Sequence, residues 1–273
     1  LRPSNLLPFV AAVGFVLLVL PKISGAQETN PSDASGERDP VPADAATAYR
    51  AGDFTAAEKS WAKVVTQNPT DSIARHNLSL ALAQQDRWGE AAAHAAASFL
   101  QDPANPPTRW QLALSSEKAG YIPAPLARFF PAGPIQSLAS LAAPGTWQIV
   151  LISGSLVFAL ALAMFLYGMY QSPSRVRTWS AFTTLGIGAL LGLAATASLH
   201  AYGTGADQRA VIAWHAGTLR SIPTEADTTQ KTTALPAGSV AIEDKTFLGW
   251  IRLRFENGQT GWVRRDDVIP LWR

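Results

Sequence analysis

Residues 52–69, GDFTAAEKSWAKVVTQNP, are answered 34 positions later by residues 86–103, DRWGEAAAHAAASFLQDP. Gly52-Asp53-Phe54, Ala57, Trp61 and Pro69 recur as Asp86-Arg87-Trp88, Ala91, Ala95 and Pro103. A fixed period of this length marks stacked supersecondary units, each too small to bury its apolar face alone. The residue types suit that reading. Phe54 and Trp88 fill the turn between paired helices, Ala57 and Ala91 permit close helix contact, and Pro69 and Pro103 stop the second helix. The second copy is the fuller one, because Asn77-Leu78-Ser79 and Leu82 supply its first helix. A third copy starts at Pro106 with Trp110, Leu112 and Ala113 and reaches Gly120-Tyr121. It then meets Pro123 and Pro125, which predict that its second helix is broken or replaced.

This pattern resembles the tetratricopeptide repeat over residues 45–121, two and a half copies, with the helix from Pro107 to Ala119 as a cap. The resemblance implies a recognition platform whose groove residues are Tyr49, Arg50, His76, Asn77, Leu80, Gln84, Trp110, Gln111 and Lys118. A structural or solvated role for each of them is the competing expectation. Asn77 stands where carboxylate-binding repeats place an Asn, but the accompanying basic residues are out of register, so no carboxylate clamp is read here.

Beyond Tyr202 the character changes to short alternating segments, Ala210–Trp214, Ser239–Glu243, Gly249–Phe255 and Gln259–Val263, separated by turn residues. That spacing predicts a small all-β barrel. Ile251, Leu253 and Phe255 alternate with Trp250, Arg252 and Arg254, and Asn257-Gly258 suits a type I′ turn. Leu219-Arg220 with Pro223, Leu235-Pro236-Ala237-Gly238, Trp250 with Arg252, and Gly258 with Gly261-Trp262-Val263 together resemble bacterial SH3-like domains over residues 208–273. The resemblance implies a cleft for peptide or cell wall at Trp214, Arg220, Glu225 and Trp250. The alternative is that Trp250 and Trp262 are core.

Between these regions lie two apolar runs, Trp147–Tyr170 and Trp179–Tyr202, free of Asp, Glu, Lys and Arg. At 1.5 Å per residue each reaches roughly 36 Å, enough for a hydrocarbon core of about 30 Å. Trp147, Tyr167, Tyr170, Trp179 and Tyr202 fall at their ends, as interfacial aromatics do. Arg175 and Arg177 make the intervening loop, 171–178, the cytoplasmic one. Both flanking regions are then extracytoplasmic, periplasmic at an inner membrane. A secretory signal over residues 1–26 agrees, with Arg2, an apolar run from Leu6 to Leu20, and Ser24-Gly25-Ala26 for cleavage. An uncleaved anchor is the alternative. Residues 27–44 are a Pro/Asp/Ser/Gly-rich tether and residues 122–146 a juxtamembrane linker. Ser155, Ala159 and Ala163 in the first run, and Gly188, Gly192, Thr196 and His200 in the second, each repeat at four-residue spacing, which predicts close packing of membrane helices. That packing either pairs the two spans or docks a partner's helix.

Charge and inventory narrow the function. Lys and Arg total 22 against 20 Asp and Glu, a net charge of +2 without a basic block, so nucleic acid is not an expected partner. There is no cysteine for a disulfide or thiolate site. His76, His94, His200 and His215 are scattered, and Gly186-Ile187-Gly188 lies within an apolar run, where a dinucleotide loop is excluded. No enzyme, metal or cofactor is expected. The order signal, repeats, two spans, SH3-like domain resembles the BatE-type proteins of bacterial aerotolerance operons. That resemblance implies a scaffold or adaptor for integral membrane or envelope proteins, with a role in aerotolerance or stress response. A peptidoglycan-binding protein and a membrane sensor or transport accessory are the alternatives.

Overall fold

The computed structural model describes residues 43–170, 175–226 and 229–273. The signal segment, the tether up to residue 42 and residues 171–174 of the interhelical loop lie outside them. The chain divides into two compact units. One comprises, of the described residues, Gly145–Thr196. The other is built from both sides of it, residues 43–144 together with Ala197–Arg273. The architecture is mixed, with eight α-helices and seven strands among the described residues.

Five helices open the second unit: α1 Ala43–Arg50, α2 Phe54–Gln67, α3 Ser72–Ala83, α4 Trp88–Gln101 and α5 Pro106–Ala119. The period seen in the sequence is a period of backbone geometry. Helices α2 and α4 start 34 residues apart (88 − 54), as do α3 and α5 (106 − 72). Their ends match too, since Asn68 (φ −132°, ψ 84°) and Asp102 (φ −142°, ψ 73°) leave the helix the same way. Asp53 and Asp71 cap α2 and α3 through side chains that accept main-chain N–H groups, satisfying donors a helix start leaves unpaired. Arg87 ties the copies together by bonding Glu58 at 2.7 Å and Glu90 at 2.6 Å.

Alanine sets the packing. Ala91, Ala92, Ala93, Ala95, Ala96 and Ala97 of α4 are all fully buried, so neighbours close on it from every side. Helix α5 ends at Gly120 in the left-handed conformation (φ 75°), and no helix pairs with it in the following residues. An irregular segment stands there instead, with Phe129 wedged against Phe99 (5.5 Å between centroids) and stacked on Tyr202 (5.1 Å). Arg109 fixes it by donating to the Phe129 carbonyl at 2.8 Å. A short helix, α6 Pro134–Ala139, follows.

After Tyr202 come β1 Ala210–Ala213, β2 Gly217–Arg220, β3 Thr232–Leu235, β4 Val240–Phe247, β5 Trp250–Arg254, β6 Thr260–Arg264 and β7 Val268–Pro270. They form one antiparallel sheet in the order β3-β2-β6-β5-β4-β1-β7. Every strand sends side chains into one core, including Val211, Leu219, Leu235, Ala241, Ile251, Val263 and Val268, so the sheet curls around it. The hairpin turn expected to be of type I′ differs from expectation. At Asn257-Gly258 only Gly258 takes a positive φ (81°), and Phe255 pairs with Gln259, a type I turn closed by a left-handed glycine. The two-residue turn with both central residues at positive φ is Leu248-Gly249, at 43° and 80°, between the paired Phe247 and Trp250.

Helical layer and sheet form one body. Arg75, 1% exposed, donates to the main-chain oxygens of Pro69 (2.8 Å), Pro270 (2.7 Å) and Arg273 (3.0 Å). Gln101 bridges Pro69 and Leu271, and the Tyr121 hydroxyl bonds the carbonyls of Gly89 (2.8 Å) and Trp214 (3.4 Å).

The first unit is a pair of helices, the major part of α7 Pro144–Tyr170 and α8 Arg175–Tyr202, each long and apolar enough to cross a membrane. Their most apolar windows have mean hydropathies of 2.6 and 1.6 and are only 11% and 17% buried, unlike the core helix of a soluble protein. Tyr167, Tyr170 and Trp179 are exposed. Tyr202, read from sequence as an interfacial aromatic, is instead fully buried in the second unit, its hydroxyl donating to Ala139 and Ala142.

Candidate functional site

The residues proposed for a groove on the helices fall into three groups. Tyr49 packs between Phe54 (5.2 Å) and Trp61 (5.7 Å), and Gln111 is 1% exposed, its amide donating to Ser79 and Ser115 inside the helical layer. Both hold the layer together. His76, Asn77 and Leu80 are half-buried on α3, and burial holds the His76 imidazole below the ordinary histidine range. Arg50, Gln84, Trp110 and Lys118 are exposed. Trp110, at 63% exposure, is the one large aromatic of α5 and gains nothing from folding by standing in water.

On the sheet, three of four proposed residues come together. Residues directly opposite each other in adjacent strands share a face. One row across β2, β6, β5 and β4 therefore reads Arg220, Trp262, Arg252, Lys245, and the next reads Arg264, Trp250, Phe247. The Arg264 guanidinium lies 4.6 Å from the Trp250 ring centre and 3.1 Å from Glu225. Such a cation–π contact holds the planar group flat over the indole. Arg252 reaches Thr260 at 3.2 Å and Asp244 at 3.9 Å. Arg220 has no carboxylate partner among the described residues. This face offers planar donors beside aromatic rings, a surface suited to carboxylate, phosphate or sugar–peptide ligands. Its exposed ion pairs are weak enough to exchange for a ligand.

Trp214 stands apart. Its indole N–H donates to the Asp266 carbonyl at 2.8 Å, and its own carbonyl meets Tyr121, so it belongs to the junction with the helices. Trp250 is buried at 6% exposure although it lies on the outer face, because Arg264 covers it; Trp262 is half-buried. The site residues overlooked in the sequence are Trp262, Arg252 and Arg264, and a signal for them existed. Arg252 pairs with Trp262 and Trp250 with Arg264 symmetrically about Asn257, so the hairpin register alone places Arg264 beside Trp250, whereas the neighbourhood of Arg220 and Trp262 comes from the β2–β6 pairing.

In the apolar pair, a Cβ on Gly188 would stand 2.8 Å from the Phe158 nitrogen and 3.0 Å from the Gly154 carbonyl, so glycine is required where α7 and α8 touch. Gly192 has open space in the Cβ direction and lines a groove with Leu151, Ser155 and Thr196.

Comparison with known proteins finds no matching family model, curated protein or solved structure.

Proposed function

We propose that the chain is a membrane-anchored, non-catalytic scaffold of a bacterial envelope. In this reading the helical layer is a tetratricopeptide-type stack, the curled sheet is an SH3-like module, and α7 and α8 span the inner membrane. The observation that carries it is the composition of the second unit, which draws on residues before α7 and after α8. Such a unit requires both ends of the helix pair to emerge on one side, the topology that Arg175 and Arg177 favour for a cytoplasmic loop. A rigid body held at a bilayer presents two faces, one around Trp110 and one of Arg and Trp on the sheet, and raises the effective concentration of both toward a membrane-held partner. The resemblance of the sequence's element order to BatE-type proteins supports an integral membrane partner and aerotolerance or stress as the setting.

The test is recovery of partners from solubilised membranes. Trp110→Ala should lower the yield of an integral membrane partner by about tenfold or more if the indole is an anchor, with protein level and insertion unchanged. Wild-type recovery from the variant rejects the helical face as the adaptor surface. The Arg/Trp face supports a second reading, capture of peptidoglycan by the sheet. In that case purified cell wall retains the wild type and loses Arg220→Ala/Trp262→Ala.

A further inference from the structure

The turn between β4 and β5 is built against its own stability. A two-residue turn with positive φ at both positions is the place for Asn-Gly or Gly-Gly, because a side chain with a Cβ is strained there. This protein puts Leu248 at φ 43°, and the side chain is 82% exposed, so burial does not compensate the strain. Phe247 beside it is 52% exposed. The neighbouring hairpin shows the ordinary alternative, with Glu256, Asn257 and Gly258 at its tip. An apolar pair on a strained, solvent-facing tip is kept for something outside the fold.

Its surroundings indicate what that is. Immediately behind the tip, on the face that carries Phe247, stand Lys245, Arg252 and Arg264, with Arg220 one strand further on. Against these four cations the same region sets Asp244 and Glu225. Arg265 is added at the turn, its main-chain N–H bonding the Gly249 carbonyl, and is followed by the exposed Asp266 and by Asp267, which turns to His215 at 3.2 Å. Lys245 and Arg265 have no carboxylate partner among the described residues. An apolar tip followed by a cationic collar matches the layering of a phospholipid surface, acyl chains beneath anionic headgroups. The sheet also begins soon after α8 ends, at Ala210 after Tyr202, so chain continuity keeps it near any bilayer that α8 enters.

We infer that the Phe247–Leu248 hairpin tip dips into an anionic lipid surface, with Lys245, Arg264 and Arg265 engaging the headgroups. The inference rests on the membrane-spanning reading of α7 and α8. The chain has no cysteine, so Leu248→Cys takes a single environment-sensitive NBD label, and Asn257→Cys at the other hairpin tip serves as control. The full chain is placed in nanodiscs of phosphatidylcholine alone or mixed with phosphatidylglycerol. The label at 248 should emit to the blue and be quenched by spin-labelled lipid, more strongly in the mixed discs, while the label at 257 stays water-like. Lys245→Glu with Arg265→Glu should return the 248 label toward the solvent spectrum. A chain that fails to enter nanodiscs overturns the spanning reading and this inference with it. Entry with a water-like label at 248 in both discs overturns the hairpin contact alone. A blue shift that needs no lipid and grows with protein concentration in detergent assigns the tip to a second copy of the chain and also overturns it.

Discussion

Arg75 is a guanidinium taken almost wholly out of water, and its hydrogen-bond partners are main-chain oxygens on two different layers. Burial lowers its pKa to about 10, which still leaves it charged at neutral pH, so the three bonds are charge-assisted. Arg75→Met would keep much of the stem's packing but strip the Pro270 and Arg273 oxygens of this donor, Pro69 still accepting from Gln101, at a cost of about 3 kcal/mol, read as a lower denaturation midpoint. Lys could reach at most part of the fork, so Arg75→Lys should recover only a fraction. His94 makes a second residue-scale prediction. Burial first, then the positive fields of Arg75 and Arg87, hold its pKa well below the ordinary value of 6.5, and burial does the same to His76. Above that value both states of the protein carry neutral imidazoles and nothing changes with pH. Below it the unfolded chain takes up protons that the folded chain refuses, so stability falls as pH falls, with a slope that for His94 approaches about 1.4 kcal/mol per pH unit, the linkage limit for one group. Denaturation midpoints at pH 7 and pH 5 should differ in the wild type, and the difference should shrink in His94→Gln.

At the scale of elements, the Leu248-Gly249 turn yields a stability test independent of any ligand. Leu248→Asn should raise stability by about 1 kcal/mol, because Asn tolerates the left-handed conformation that leucine resists. Gly249→Ala, at φ 80°, should lower it. A drop in the midpoint of Leu248→Asn would show that the leucine side chain holds the hairpin in place. The same strands show how far the sequence could be read. Helix starts were legible because Phe54 and Trp88, with the prolines, punctuate a strict period. Strands β1, β4, β5 and β6 were legible from alternation and turn residues. Strands β2, β3 and β7 were not named as strands, because Gly217–Arg220, Thr232–Leu235 and Val268–Pro270 are too short to display a period, and only pairing with neighbours makes them strands. Part of the candidate site was legible for a related reason. Arg220, Glu225 and Trp250 were named from likeness to a module, but the Arg264 contact that gathers Glu225 and Trp250 is a cross-strand relation.

For the whole molecule, the feature hidden from the sequence is that helices and sheet make one body. Arg75 and Gln101 stand out in no sequence pattern and Tyr121 only as the end of the third repeat copy, and no local pattern says that their partners lie on the sheet and the segment after it. A decisive test uses Gly89 on α4. Replacing glycine by alanine within a helix ordinarily stabilises it, by up to about 1 kcal/mol. Here the added Cβ would stand 2.5 Å from the Trp214 carbonyl and 3.4 Å from its ring, and a carbonyl of the main chain cannot swing aside as a flexible side-chain end can. Overpacking of that kind costs about 1–3 kcal/mol, enough to reverse the sign. If α4 and the sheet are docked, Gly89→Ala lowers the midpoint, and the far-ultraviolet helical signal and the fluorescence of the sheet's tryptophans fall together in one transition. Were the two layers independent, alanine would raise the helical midpoint and leave the sheet's unchanged. The same substitution thus separates one cooperative body from two tethered modules by the direction of its effect.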